Sequence, residues 1–269
     1  MAYIETVRSL RQAFRIRQRE VISLVGGGGK TTLMFALARE LASSGQSVVT
    51  TTTTNILEPS SSETRLLILE ADEEDTVKSL LQNLDKHRHI TLAREKLPSG
   101  KLNGVSPELV VKIAELSQVS YTIVEADGAA RRSLKAPTFY EPVIPYNTSL
   151  VIPLVGIDAI GCHLTEEHVF RSEIVSKLLG LPLGEIVTAE HIAFLITHPQ
   201  GITKGSPAQA RIIPFLNKVD LEEGLAKGRD LAGKILVINH PQLERVILGQ
   251  AKLPEPAVEA ILRGGQQSI

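Results

Sequence analysis

Apolar residues in this chain gather into short unbroken runs, and between the runs they recur at helical spacing. The run Val21-Ile22-Ser23-Leu24-Val25 is too short for a helix and ends in glycine, so it predicts a buried strand over 20–25. Leu33, Leu37 and Leu41 then repeat at four-residue spacing until Ser43-Ser44-Gly45, which predicts a helix with a glycine stop. The same reading gives a short amphipathic helix at 2–13, a strand from Ser47 running into threonines up to Thr54, and a strand over Arg65–Glu70. Val77, Leu80, Leu81 and Leu84 mark a helix face, and Ser106-Pro107-Glu108 is a helix start with Ser as cap. Tyr121–Val124 and Leu150–Val155 read as buried strands, Glu167–Leu181 and Ala189–Thr197 as helices. A strand over Ile212–Leu216, a helix from Leu221 and short strands near Ile235–Ile238 and Arg245–Leu248 complete the pattern.

Strands alternating with helices predict an α/β fold whose mostly parallel sheet carries helices on both faces. We read residues 1–269 as one domain, P-loop NTPase-like, with a candidate helical insertion around 160–205. Ligands of such sheets bind beyond the carboxyl ends of the strands. Four polar clusters fall there.

The first is Gly26-Gly27-Gly28-Gly29-Lys30-Thr31-Thr32, placed between a strand and a helix. Bare backbone followed by a helix N-terminus suits a phosphate, since unpaired N–H groups and the helix dipole both favour an anion. Lys30, expected to face solvent when no ligand is present, would reach the terminal phosphates, and the Thr31 hydroxyl would sit on Mg²⁺. Leu24 occupies the position of the first glycine in G-x-x-x-x-G-K-[ST], so the loop is a shorter form that resembles the ATP loop of Mur ligases.

The second cluster, Thr50–Thr54, offers hydroxyls, with Thr52 a candidate for the metal or its water. The third is Glu125-Ala126-Asp127-Gly128. Period-two alternation would put both carboxylates on one side, within reach of Mg²⁺, whereas a plain turn at Asp127-Gly128 is the alternative. Arg131, Arg132 and Lys135 follow and would neutralise a reacting phosphoryl group, or else form a solvated basic loop. The fourth, Asn217-Lys218-Val219-Asp220, matches the N-K-x-D pattern with which many GTP-binding proteins read guanine. Asp220 is equally placed to cap a helix, with Glu223 at the capping-box position. The base stays open between ATP and GTP, the Mur-like spacing favouring ATP.

Charge changes the picture by exclusion. Lys and Arg number 29 against 30 Asp and Glu, leaving no basic excess for nucleic acid. No apolar run approaches the ~18 residues of a membrane helix, and Glu5, Arg8 and Arg11 interrupt a signal-peptide core. The single cysteine, Cys162, excludes an intrachain disulfide and fits a reducing cytoplasm. With His163 and His168 it lacks a zinc spacing and reads as a structural residue.

Several ordered segments together resemble the YqeC family. They are Val25–Thr32, Thr51–Ile56, Lys101–Val105, Val124–Pro137, Glu141–Pro145, Val155–Asp158 and Asn217–Asp220. That resemblance implies an accessory role for selenium-dependent molybdenum hydroxylases, with a molybdenum hydroxylase or a selenium or molybdenum cofactor donor as partner. Combined with the loop, it implies an Mg–NTP-dependent maturation factor with Lys30, Arg131 and Arg132 at the reacting phosphate. The alternatives are a small-molecule kinase or Mur-like ligase, and a nucleotide-gated binding module without turnover. The chain has little room for the further domains of a Mur ligase.

Overall fold

The apolar run over 20–25 is a strand, Glu20–Gly26, buried along its whole length at the middle of a large sheet. The computed structural model describes residues 3–262. Its strands up to this point of the chain and beyond are β1 Tyr3–Thr6, β2 Glu20–Gly26, β3 Val48–Thr52, β4 Asn55–Leu57, β5 Leu67–Leu69, β6 His89–Ala93, β7 Glu95–Lys96 and β8 Lys101–Asn103. There follow β9 Tyr121–Glu125, β10 Leu134–Lys135, β11 Leu150–Gly156, β12 Val169–Phe170, β13 Arg211–Ile212, β14 Phe215–Asn217, β15 Arg245–Gly249 and β16 Ala257–Leu262. The helices are α1 Leu10–Ala13, α2 Lys30–Ser43, α3 Glu73–Asn83, α4 Pro107–Glu115, α5 Ser172–Leu179, α6 Ala189–Thr197 and α7 Gly224–Val237.

The main sheet has the order β1-β16-β15-β14-β11-β2-β9-β3-β6-β5, with β13 pairing β11 beside β14. From β15 to β5 every neighbouring pair is parallel, and β16 and β1 close one edge antiparallel. The fold is therefore mixed α/β with a mostly parallel sheet, as expected. Strand side chains alternate between two helical layers. Ile22, Leu24, Ile123 and Ile152 pack with Leu33, Leu37 and Leu41 of α2. On the other face Val25, Val151 and Val155 pack with Ile192 of α6 and Leu231 of α7, while Val21 and Val124 pack with Leu109 and Ile113 of α4.

Registry sets the position of the site. Leu24 lies opposite Glu125, Thr52 opposite Glu125, Leu154 opposite Gly26, and Gly156 opposite Asn217. The carboxyl ends of β2, β3, β9, β11 and β14 thus meet along one edge.

Five sequence expectations fail in whole or in part. Residues 3–6 form an edge strand paired with β16, and only Leu10–Ala13 is helical, so the predicted helix at 2–13 is mostly wrong; residue 2 lies outside the described residues. The helix expected from Leu221 begins at Gly224, and the strand expected near Ile235–Ile238 falls on its last turns and C-cap. The strand over 212–216 breaks in two at Ile213-Pro214, because proline cannot donate to a ladder. The helix expected over 167–181 is limited to Ser172–Leu179. Among the described residues no helix is long and apolar enough to cross a membrane.

Candidate functional site

Between β2 and α2 the chain turns through glycines that no other residue would fit. Gly28 and Gly29 have φ of +81° and +121°, a region costly for residues with a Cβ. A Cβ on Gly28 would lie 2.4 Å from the Gly156 nitrogen, and one on Gly29 would lie 2.6 Å from the Asn217 amide nitrogen. The amides of Gly26, Gly27 and Gly28 are already committed. They donate to Asp127 Oδ2 (3.0 Å), the Leu154 carbonyl (2.9 Å) and the Arg132 carbonyl (2.8 Å). The donors left over are those of Gly29, Lys30, Thr31 and Thr32, the N-cap and first turn of a 14-residue helix that has no side-chain cap. Of the seven loop residues singled out in the sequence, these four present amides to the cleft, whereas Gly26–Gly28 supply close backbone packing.

Lys30 does not face solvent. It is 4% exposed, and its ammonium donates to the Gly26 carbonyl at 2.6 Å while lying 3.1 Å from Asp127 Oδ1 and 3.7 Å from Glu125 Oε1. Burial pulls the lysine pKa down, but the attraction of Asp127 and Glu125 prevails and holds it above the ordinary value. Burial raises the Glu125 carboxyl, outweighing Lys30 and the hydrogen bond from Thr31 Oγ1 at 2.6 Å.

Asp127 is drawn away from the cleft. It is 1% exposed, its Oδ2 accepts the Gly26 N–H, and the buried Lys135 sits 3.0 Å away. Lys135 bonds in turn to Glu141 at 2.9 Å and to the Gly128 carbonyl at 2.6 Å, and Glu141 pairs with Arg171. Burial works against ionisation of Glu141, yet hydrogen bonds from Arg171 and Lys135 keep its pKa below the usual range. Lys30, Lys135 and Arg171 balance Glu125, Asp127 and Glu141, so this ion-pair chain is neutral as a whole. Asp127 and Glu125 meet at Lys30, but of the two carboxylates expected at the metal only Glu125 lines the cleft. β9 ends at Glu125, so strand alternation does not carry through to Asp127.

Thr52 is likewise turned inward. Its hydroxyl donates to the Glu125 carbonyl at 2.7 Å and accepts the Thr54 amide at 3.0 Å, so it positions Glu125, and Thr52 itself is buried and does not line the cleft.

At the far side, Asn217 is a clamp: its Nδ2 donates to the Gly28 carbonyl at 2.6 Å, and its Oδ1 accepts the Ala251 amide at 2.8 Å. Lys218, with φ +70°, donates to Asp158 Oδ2 and Ser133 Oγ, both at 2.7 Å. Asp220 is exposed and is not a helix cap. The N-cap of α7 is Glu223, itself in the left-handed region and making no side-chain cap bond.

Loop amides, Lys30, Thr31, Glu125, Asn217, Lys218 and Asp220 all line one cleft of about 860 Å³, a size typical of small-molecule sites. Arg131 and Arg132 line it too. Arg132 donates to the Glu166 and Ala130 carbonyls, while Arg131 makes no hydrogen bond or ion pair among the described residues. Ala130 and Arg131 both have positive φ, at 45° and 63°, which is uncommon for non-glycine residues.

Cys162 is half-buried and free, and burial followed by Asp158 pushes its thiol pKa up. His163 Nδ1 is 2.7 Å from the Gly184 carbonyl. Among the described residues no group of three or more His, Cys, Asp or Glu is gathered to hold a metal ion. Sequence reasoning gave no role to Glu141, Ser133 and Asp158, although they fall in the segments that carry the family resemblance, and it did not single out Arg171. Each is an ordinary polar residue whose partner lies 6 to 85 positions away, so its bonding cannot be read locally.

Comparison with known proteins agrees with the ordered segments. The model of the YqeC protein family matches residues 22–173, which span the glycine loop, the threonines, Glu125-Ala126-Asp127 and the ion pairs out to Arg171. The Escherichia coli (strain K12) protein YqeC, described as uncharacterized, is 31% identical over 123 residues. That match covers 46% of this chain and 48% of the relative, so the chain spans about half the length of the relative it matches. Since the family model covers more than half of the 269 residues and includes the glycine loop that lines the cleft, the chain belongs to the YqeC family.

Proposed function

We propose that this protein binds Mg–NTP in the cleft, as a P-loop NTPase-like protein, and uses the nucleotide in maturing a selenium-dependent molybdenum hydroxylase. The observation that carries the reading is the set of uncapped amides from Gly29 to Thr32, opening beside a lysine between two carboxylates. An anion there meets the helix dipole and free donors, and Lys30 adds the positive charge that phosphates need. The metal reading fits the donor set: Thr31 and Glu125 are hard oxygen donors already in contact, and Mg²⁺ usually takes one or two protein ligands plus phosphates and waters. Mg²⁺ would supply charge neutralisation between the phosphates. Thr31 and Glu125 would hold that ion, Thr52 fixes the Glu125 backbone, and the uncommitted Arg131 guanidinium would meet charge developing on a transferred group. The link to molybdenum hydroxylases and to a selenium or cofactor donor rests on the family resemblance.

Calorimetric titration with Mg–NTP, paired with timed phosphate release, tests the reading. Magnesium-dependent binding with release of inorganic phosphate is expected. Absence of binding by every Mg–NTP would overturn it. Transfer of the phosphate to an added acceptor would instead support the kinase alternative.

A further inference from the structure

We infer that the distal end of the cleft accepts guanine and excludes adenine, with Asp220 as the reading group. The inference rests on the nucleotide site proposed above and names its base. Asp220 lines the same cleft as Gly29–Thr32, and among the described residues its carboxylate has no hydrogen bond or ion pair. The competing explanation for an aspartate at this position is helix capping. It does not hold, because α7 starts at Gly224 behind a different N-cap residue.

The residues around Asp220 are fixed from both sides. Asn217 ties the phosphate loop at Gly28 to Ala251, so the two ends of the cleft are held in one register. The Lys218 ammonium is anchored on Asp158 and Ser133, which leaves its methylene stem at the cleft wall as an apolar surface for a ring. A positive φ at Lys218 is sustained by these contacts, as expected where surroundings over-determine an unfavourable conformation. Beside it, Gln250, Ala251 and Lys252 follow the neighbouring strand β15 and continue the same wall, joined to it by the Val219 amide on the Gly249 carbonyl at 3.1 Å and the Ala251 amide on Asn217, and the Lys252 amide has no partner among the described residues.

This wall pairs one unpaired acceptor with one unpaired donor. Guanine presents the complement: N1–H and the 2-amino group donate to a carboxylate, and O6 accepts an amide. Adenine presents an N1 lone pair to the carboxylate and lacks the 2-amino donor, so its edge meets repulsion and a loss of hydrogen bonds. Sites built on such polar contacts discriminate strongly against the base that cannot make them.

The test titrates the full chain, wild type and Asp220→Asn, with Mg–GTP, Mg–ATP and Mg–XTP, with thermal melting to check that both proteins fold. Wild type is expected to bind GTP at least ~10-fold more tightly than ATP, the scale of one hydrogen-bonded charge. Asp220→Asn should lose at least ~10-fold for GTP and gain for XTP, whose 2-carbonyl accepts from the new amide. Equal or tighter binding of ATP by wild type would overturn the guanine inference while leaving the nucleotide site intact. A GTP preference unmoved by Asp220→Asn would overturn the role of Asp220. Failure of all three nucleotides to bind would remove the underlying site as well.

Discussion

Replacing Lys30 by methionine should destabilise the folded protein even without ligand, which a solvated loop lysine would not do. The ammonium is buried with one hydrogen bond and two carboxylates within 3.7 Å. Asp127 keeps Lys135 and the Gly26 amide, so Glu125 is the group left without a cation. Removing one partner of a buried pair costs about 3–5 kcal/mol. Protonation of Glu125 limits that loss, and this gives the effect a pH signature. Its pKa is already above the ordinary 4.5 because burial outweighs Lys30, and without Lys30 it rises further. A carboxyl with a raised folded pKa binds its proton more tightly in the native state. Its stabilising share is complete below about pH 4.5 and is lost as pH rises through the folded value. Urea unfolding at pH 5 and pH 7.5 reads this out. The variant should lie closer to wild type at the lower pH and about 3–5 kcal/mol below it at the higher. A difference within ~0.5 kcal/mol at pH 7.5, the size of an ordinary surface substitution, would refute the buried-pair reasoning.

Three further outcomes follow from the same geometry. Burial, and then Arg39, lower His89 to about 4 from 6.5, so the unfolded chain takes up a proton that the native state refuses. Stability should therefore be intact above pH 6.5 and fall by about 3 kcal/mol toward pH 4, with His89→Gln flattening that limb in pH-dependent urea unfolding. Glu125→Gln should weaken the magnesium dependence of nucleotide binding at least ~10-fold more than Glu108→Gln, whose carboxylate is exposed in the first turn of α4; equal effects in calorimetry would take the metal role away from Glu125. Asp220→Ala should leave the melting free energy within ~0.5 kcal/mol, whereas losing a helix cap would cost ~1 kcal/mol in the same assay.

Elements bounded by local signals were legible before the structure. Ala189–Thr197 is helical over the residues read from its apolar pattern, Ser106 caps α4 as its position ahead of Pro107 predicts, and β2 and α2 flank the glycines as expected. What was not legible depends on distant partners. Tyr3–Thr6 becomes a strand because β16, more than 250 residues later, offers an open antiparallel edge, and local helix pattern loses to that pairing. At the site, residue types near the glycines pointed to phosphate chemistry, and Lys30, Thr31 and Glu125 do meet there. Thr52 and Asp127 carry the same chemical groups, but Thr52 bonds the Glu125 carbonyl, and Asp127, beyond the end of β9, takes the Gly26 amide and Lys135. Sequence cannot show which oxygen is already taken. Asp220 illustrates the converse, because the capping pattern is present in the residues and unused in the fold.

On this reading of the cleft the Gly29–Thr32 amides take up the anion, while the Gly26–Gly28 amides are closed to it. Amide-resolved NMR of the full chain, titrated with a non-hydrolysable Mg–NTP, tests this most directly. Large shifts are expected at the Gly29, Lys30, Thr31 and Thr32 amides, with those of Gly26, Gly27 and Gly28 staying bonded to Asp127, Leu154 and Arg132. A saturating titration that leaves the Gly29–Thr32 resonances in place would contradict it.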